Sequence, residues 1–406
     1  MNHRSLLIFL AGIVVAIVGV PQVERLAENR DLLKPYDFVQ YWSAGRLLLD
    51  GRDSYDPDQL LPLQRSMYDG VRKTIMMWNP PWTLPLTLPF AALPWRLAQF
   101  LWLGLQFGAV LLSADMLWRI YGGEEKYRWV AWLIALTFAP TLFLLLMGQI
   151  SGLLLLGVTG FLFYMRRNRP IIAGCFAALT AIKPHLLPLF ALLFLLESLH
   201  DRRARKALVA GCCCLVVCSL LPLLWNSNIW GEYLGAMRRP PSDNFETMRE
   251  FEHPTIGYRI RLMILGQPFA AQFIPMAFAL AYTFRFWIQC RSSWDWRDYL
   301  PAVVLFSALT AGYGAWAFDL VLLLLPLISL AAWLSIWQVR AIVFLATIYL
   351  VLNALVLSTI RDAGSQSNPW ITPGVFGAFV LVAIPGMSCQ FGPESANDPT
   401  SRPSGK

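Results

Sequence analysis

A bilayer core of about 30 Å takes roughly 20 apolar residues of helix to cross, and stretches of that kind recur along most of this chain. Residues 5 to 20, 97 to 118, 129 to 147, 150 to 165, 207 to 225, 268 to 289, 316 to 335, 341 to 359 and 370 to 388 read as full spans. With 57% hydrophobic and only 14% charged residues in 406, one soluble core would leave far too much apolar surface in water. The expected class is an all-α polytopic integral membrane protein, because helices satisfy their own backbone groups in lipid. The first run, "RSLLIFLAGIVVAIVGVPQ", has no small-x-small cleavage site and reads as a retained span, not a signal peptide.

Two regions are too short for ordinary spans. The basic clusters "RRNR" (166 to 169) and "DRRARK" (201 to 206) both belong inside by the positive-inside rule, so 171 to 199 must go out and return as two short helices meeting at "KPH" (183 to 185). Residues 300 to 312 likewise form a short ascending helix that ends in the tip "GYGAW". About twelve crossings result, with both termini inside and long outer loops at 21 to 96 and 226 to 267. This arrangement puts the whole net charge of +8 on the cytoplasmic side and leaves the outer segments balanced. Membrane lipid headgroups are then partner enough for the basic balance, and no basic soluble face invites nucleic acid. Residues 1 to 390 are expected to be one transmembrane domain, and the Pro/Ser/Gly-rich residues 391 to 406 a disordered cytoplasmic tail.

The polar chemistry gathers in the outer segments. In "KPYDFVQYWSAGRLLLDGRDSYDP" (34 to 57), Asp37 opens an amphipathic helix that stops at Gly51, and Asp56, Pro57 and Gln59 open a second. Both helices are expected to lie along the outer membrane surface. Asp37 reads two ways, as an N-cap supported by Gln40 or as a general base beside Tyr36, Tyr41 and Trp42. The "DPD" at 56 to 58 reads as a helix cap, not a metal-binding pair. His3, His185, His200 and His253 are scattered, so no metal site is expected. Lys183, a cation between two apolar half-helices, is costly there and suits a phosphate ligand, with His185 two residues on. Asp319 enters a late span as its threshold acid, and Gly148 and Gln149 interrupt "LLLMGQISGLLLL" at a turn. Cys212, Cys213, Cys214 and Cys218 are expected to be buried thiols.

"DFVQYWSAGRLLLDGRDSYDP", "WNPPWTLPLTLPFAALP", "GQISGLLLLG", "AGCFAALTAIKPHLLPL" and "GYGAWAFDLVLLLLPLI" occur in an order that resembles glycosyltransferase family 87. The resemblance is spread over residues 37 to 326. It implies a GT-C-type glycosyltransferase fold and a hexosyltransferase that takes a sugar, mannose in the first instance, from a polyprenyl-phosphate-linked donor. The acceptor would be a glycolipid or glycan at the extracytoplasmic face of the cell membrane. By the same resemblance Asp37 stands at the catalytic base, and Lys183 falls in the donor-phosphate region. Phe318 and Asp319 stand near the late motif, where similar actinobacterial members carry a His pair.

Together these readings imply inverting transfer with Asp37 as base. Lys183, His185, Gln149, Tyr41 and Asp319 would hold the donor phosphate or sugar, with no metal and no cofactor beyond the lipid-linked substrate. The competing classes are a lipid-linked glycan flippase or transporter, which would favour repeats and mid-membrane charges, and a noncatalytic scaffold. Reporter fusions are expected to place Asp37, His253 and Arg361 outside and Arg167, Arg203 and Arg291 inside. An odd number of crossings between 167 and 203 would overturn the short-hairpin topology.

Overall fold

The computed structural model describes residues 37–68 and 71–334, with short helical stretches between 343 and 357. The expected spans at 5 to 20 and 370 to 388, most of 341 to 359, and the tail from 391 lie outside the described residues. Helices α1 (Phe38–Leu49), α2 (Pro57–Met67) and α3 (Leu84–Ala91) precede the first long helix, α4 (Trp95–Ile120). Next come α5 (Arg128–Thr137), α6 (Ala139–Met147), α7 (Ser151–Arg166), α8 (Pro170–Ala178), α9 (Pro188–His200) and α10 (Arg202–Leu220). The remaining helices are α11 (Ile229–Arg238), α12 (Ile256–Met263), α13 (Ile274–Cys290), α14 (Trp296–Thr310) and α15 (Leu324–Leu334). No strand is present among the described residues; two isolated bridges at Phe245 are the nearest approach.

Among the described residues, three helices are long and apolar enough to cross a membrane: Trp95–Ile120, Arg202–Leu224 and Phe269–Ser293, the last two counted with their 3-10 turns. The run expected as one span at 129 to 147 is instead broken. Its halves α5 and α6 meet at 56° across Phe138, whose backbone is extended, and Pro140 sits in the first turn of α6. Backbone groups freed at such a break need new partners inside an apolar environment. Asn353 Oδ1 accepts from the amide of Ala139 at 2.6 Å, while the Tyr349 hydroxyl donates to the carbonyl of Ile134 at 3.0 Å.

Elsewhere small residues set the spacing. Gly174 on α8 lies against α10 so closely that a Cβ would stand 2.0 Å from the carbonyl oxygen of Ala207. This is the close backbone approach that small residues permit between helices in lipid. It also overturns the expectation of buried thiols. Helix α10 turns Ala204, Ala207 and Gly211 inward, so Cys212 and Cys213 are exposed on the opposite side and Cys214 is half-buried, 3.3 Å from Cys175.

Before α4, α1 differs from a surface-lying amphipathic helix, whereas α2 buries Leu60, Leu61 and Gln64 and leaves Asp58, Pro62, Arg65 and Ser66 exposed. Helix α1 is buried almost all round, from Phe38 through Gly45 and at Leu47 and Leu48. Its aromatic side is wedged into a stack in which Phe38 lies 5.2 Å from both Trp95 and Trp102, with Tyr41 5.4 Å from Trp102. The end at Gly51 is as expected, with a φ of 68° at that residue. Over the same end of the bundle the segments 51 to 82 and 226 to 255 clasp each other. Lys73 pairs with Glu246 at 2.9 Å, Arg239 pairs with Asp56 at 3.0 Å, and Tyr55 packs against Tyr233. Asp56 caps α2 by accepting from the amide of Asp58, and it also accepts from Gln59. The "DPD" carboxylate is therefore engaged as a cap and an ion pair.

Asn353→Ala leaves the Ala139 amide buried without an acceptor, which should cost about 1–3 kcal/mol. The detergent-solubilised protein should melt measurably earlier, and an unchanged melting curve would show that the break needs no staple.

Candidate functional site

Six segments far apart in sequence converge where α1 begins. The turn after α6 supplies the scaffold: Gly148 ends the helix in the left-handed region at φ 66°, and its carbonyl accepts from Trp102 Nε1 at 2.7 Å. The backbone amide of Asp37 donates to the carbonyl of Met147 at 2.9 Å, so the start of α1 is stitched to this turn.

At Lys183 the chain is non-helical, as the "KPH" break requires, between short 3-10 turns at Leu179–Ile182 and Pro184–Leu186. Carbonyls released there are taken up by the "WNPPW" segment. Asn79 Nδ2 donates to the carbonyl of Ile182 at 2.9 Å and Trp82 Nε1 to that of Ala181 at 3.0 Å. The two motifs are thus halves of one joint. Nothing in the spacing of residues 78 and 183 announces this; only the need to satisfy buried carbonyls does.

Lys183 is held in place by three acceptors. Its Nζ donates to Asp319 Oδ1 at 2.7 Å, Gln149 Oε1 at 3.0 Å and Ser151 Oγ at 3.1 Å. Those are all the donors an ammonium has. The Lys183 and Asp319 side chains are 9% and 1% exposed, so this is a buried ion pair joining residues 136 apart in sequence. Ser151, which the sequence did not single out, also donates to Asp319 Oδ1, at 2.5 Å. The second carboxylate oxygen, Asp319 Oδ2, is buried and has no hydrogen-bond partner among the described residues.

Gln149 carries the network on to Asp37. Its Oε1 accepts from Lys183 and, at 2.8 Å, from the Tyr41 hydroxyl; this fixes the amide so that Nε2 donates to Asp37 Oδ2 at 2.8 Å. The expected N-cap role for Asp37 is overturned. Its side chain makes no cap hydrogen bond and its backbone is already helical, because the carboxylate is turned towards Gln149. Burial raises the Asp37 pKa above its usual value, against the opposing pull of the Gln149 hydrogen bond and the Lys183 charge.

Asp37, Tyr41, Gln149, Lys183 and Asp319 therefore form one hydrogen-bonded chain. His185 is not part of it. Its ring stands edge-on to Tyr313 at 5.0 Å, and its Nε2 is buried without a hydrogen-bond partner among the described residues. The histidines are less scattered than their numbering suggests, since His253 meets the same Tyr313 ring at 4.5 Å. Burial lowers the His253 pKa to about 4, so that ring is neutral near pH 7 and packs as an aromatic. Among the described residues no three His, Cys, Asp or Glu side chains are grouped as metal ligands would be.

A buried pair that loses one member leaves an uncompensated charge, at a cost of about 3–5 kcal/mol, whereas an apolar pair of similar volume is often tolerated. Lys183→Met and Asp319→Leu should each destabilise the protein strongly. The double variant should recover much of that loss in a thermodynamic cycle on unfolding; additive losses would show that the two charges are not coupled.

The family comparison bears on this geometry directly. The model of glycosyltransferase family 87 matches residues 78–312, which include "WNPPW", Gln149, Ser151 and Lys183, while Asp37 and Asp319 flank the matched segment. No curated protein and no solved structure matches the chain. The family match covers more than half of the sequence, and the helical bundle with its apolar spans agrees with a membrane enzyme. The chain belongs to glycosyltransferase family 87 and is a membrane glycosyltransferase.

Proposed function

We propose that the enzyme transfers a sugar, mannose in the first instance, from a polyprenyl-phosphate donor to a hydroxyl of a glycolipid or glycan at the extracytoplasmic face, with inversion. The observation that carries this reading is the orientation of Asp37, a carboxylate half-buried at the end of the bundle and aimed by Gln149 instead of by its own helix. A carboxylate held by a single amide donor keeps lone pairs free for an incoming hydroxyl. As the acceptor oxygen attacks the anomeric carbon, its proton passes to Asp37. The electrons of the breaking carbon–oxygen bond pass to the leaving phosphate.

Lys183 takes a more indirect part than its sequence context implies. With all three N–H groups engaged and Asp319 alongside, it meets a phosphate only by exchanging Ser151 or Gln149 for a phosphate oxygen. Its standing role is to lock the Gln149 amide and, through it, the base. Asp319 anchors Lys183 through Oδ1, and its buried Oδ2 becomes an acceptor for a sugar hydroxyl only once the donor has opened the network. Tyr41 holds Gln149 from the other side. His185 lines the neighbouring aromatic wall and makes no phosphate contact in this reading. In this reading the leaving phosphate is met by Lys183 after that exchange, and no metal or cofactor beyond the lipid-linked donor is called on.

The test is transfer by purified protein from a panel of polyprenyl-phosphate sugars, with nucleotide sugars as the comparison. Asp37→Asn keeps an acceptor for Gln149 but cannot take the proton, so turnover should fall by about 10²–10⁴ while melting is unchanged. Because burial raises the Asp37 pKa, kcat/KM should rise with pH through a limb above the ordinary Asp value of about 3.9. Wild-type turnover by Asp37→Asn would remove Asp37 from the mechanism, and transfer only from nucleotide sugars would overturn the donor class.

A further inference from the structure

At the end of α12 and just beyond it, before the 3-10 turn at Phe269–Phe273, the chain holds two large apolar side chains away from the protein: Met263 is 86% exposed and Leu265 fully exposed. The segment is built to do so. Arg261 donates from Nε to the carbonyl of Gln267 at 3.1 Å, and from Nη1 to the carbonyl of Arg249 at 3.2 Å and to Gln272 Oε1 at 3.3 Å. Its guanidinium also lies over the Phe269 ring. Gly266 and Gln267 both adopt positive φ, 77° and 45°, the second a backbone state that residues with side chains seldom take. Gly257 seats the base of the prong, since a Cβ there would stand 1.9 Å from the carbonyl oxygen of Gln272.

The occupant of this surface follows from its continuity with a membrane-spanning helix. The exposed apolar side chains run on from Met263 and Leu265 to Ile274, Phe278 and Tyr282 on the outward side of α13, which with its flanking 3-10 turns (Phe269–Ser293) is long and apolar enough to span a bilayer. Arg259 is exposed on α12 beside them, where an interfacial helix keeps its cation among headgroup phosphates while its apolar side lies deeper. The prong also belongs to the same end of the bundle as the site. Gly312 is in contact with Phe273, and Trp316 Nε1 donates to the carbonyl of Glu252 at 3.2 Å.

We propose that Met263 and Leu265 are seated in the acyl region of the leaflet on the site side, with Arg259 at the phosphate level, as a fixed interfacial anchor. The occupant is the bulk lipid of that leaflet. The anchor sets the depth at which segment 249 to 258 meets Tyr313 and Trp316, and it stands whether or not the transfer chemistry above is correct.

The experiment uses the full chain with its seven native cysteines replaced by serine, a single Leu265→Cys labelled with an environment-sensitive nitrobenzoxadiazole dye, and phosphatidylcholine vesicles. An Asp243→Cys label on the exposed 241 to 244 segment is the water-facing control. The expected result is blue-shifted emission at 265, quenched by doxyl-labelled lipid and insensitive to aqueous iodide. Emission and iodide quenching equal to the control would overturn the proposal. So would a blue shift that ignores doxyl lipid and grows with protein-to-lipid ratio, which would identify a second copy of the chain as the occupant. If the serine background fails to fold, an encoded fluorescent amino acid at 265 in the native sequence gives the same reading.

Discussion

The pairing of Lys183 with Asp319 is the interaction on which the site depends. An ammonium between two short apolar helices is tolerable only if its charge and all three protons are met, and Asp319, Ser151 and Gln149 meet them. Each of those acceptors brings its own piece of chain. Ser151 starts α7, Gln149 follows the glycine that ends α6, and Asp319 opens the 3-10 turn before α15. The ion pair therefore ties these pieces together at the bundle end, and Gln149 links it to Asp37. A side chain introduced to make a site would be a stability liability; here the same cost is offset by what it organises.

The backbone has an equally strict account to settle. Two breaks interrupt otherwise apolar helices, one near Phe138 and one at Lys183, and each leaves peptide groups that lipid cannot satisfy. At Phe138 the partners are Asn353 and Tyr349, from a helical stretch more than 200 residues later. At Lys183 they are Asn79 and Trp82. The "WNPPW" motif is thus explained without any contact to substrate. Its two prolines lack amides of their own, so the segment stays out of regular hydrogen-bond ladders and leaves its side chains to cap those of another.

Much of this was legible in the sequence, where length and charge decide. The spans at Trp95–Ile120, Arg202–Leu224 and Phe269–Ser293, the short helices around "KPH" and the cap at Asp56 follow from apolar run length, positive-inside logic and turn chemistry. What failed did so where one local pattern fits two environments. An Asp followed three residues later by Gln looks like a cap, yet Asp37 faces a partner 112 residues away that no local rule supplies. The period of "FVQYWSAGRLLL" marks one apolar side, but α1 is enclosed except around Arg46, because its neighbours come from α2, α3, α4 and the turn after α6. Four cysteines in an apolar run suggested burial. In a membrane helix the apolar face can equally be the one that faces lipid, so apolarity alone does not orient the helix.

The short helices on either side of Lys183 have a mechanical consequence for the membrane itself. Helix α9, with 13 residues, spans about 20 Å at 1.5 Å per residue, against a hydrocarbon thickness of about 30 Å. If α9 is the whole of a crossing, the surrounding lipid thins towards the protein or the polar network sits some 10 Å below the neighbouring headgroups in a wetted depression. On that geometry bilayer thickness becomes a variable of the protein: longer acyl chains raise the cost of opening this end of the bundle to water, and shorter ones lower it.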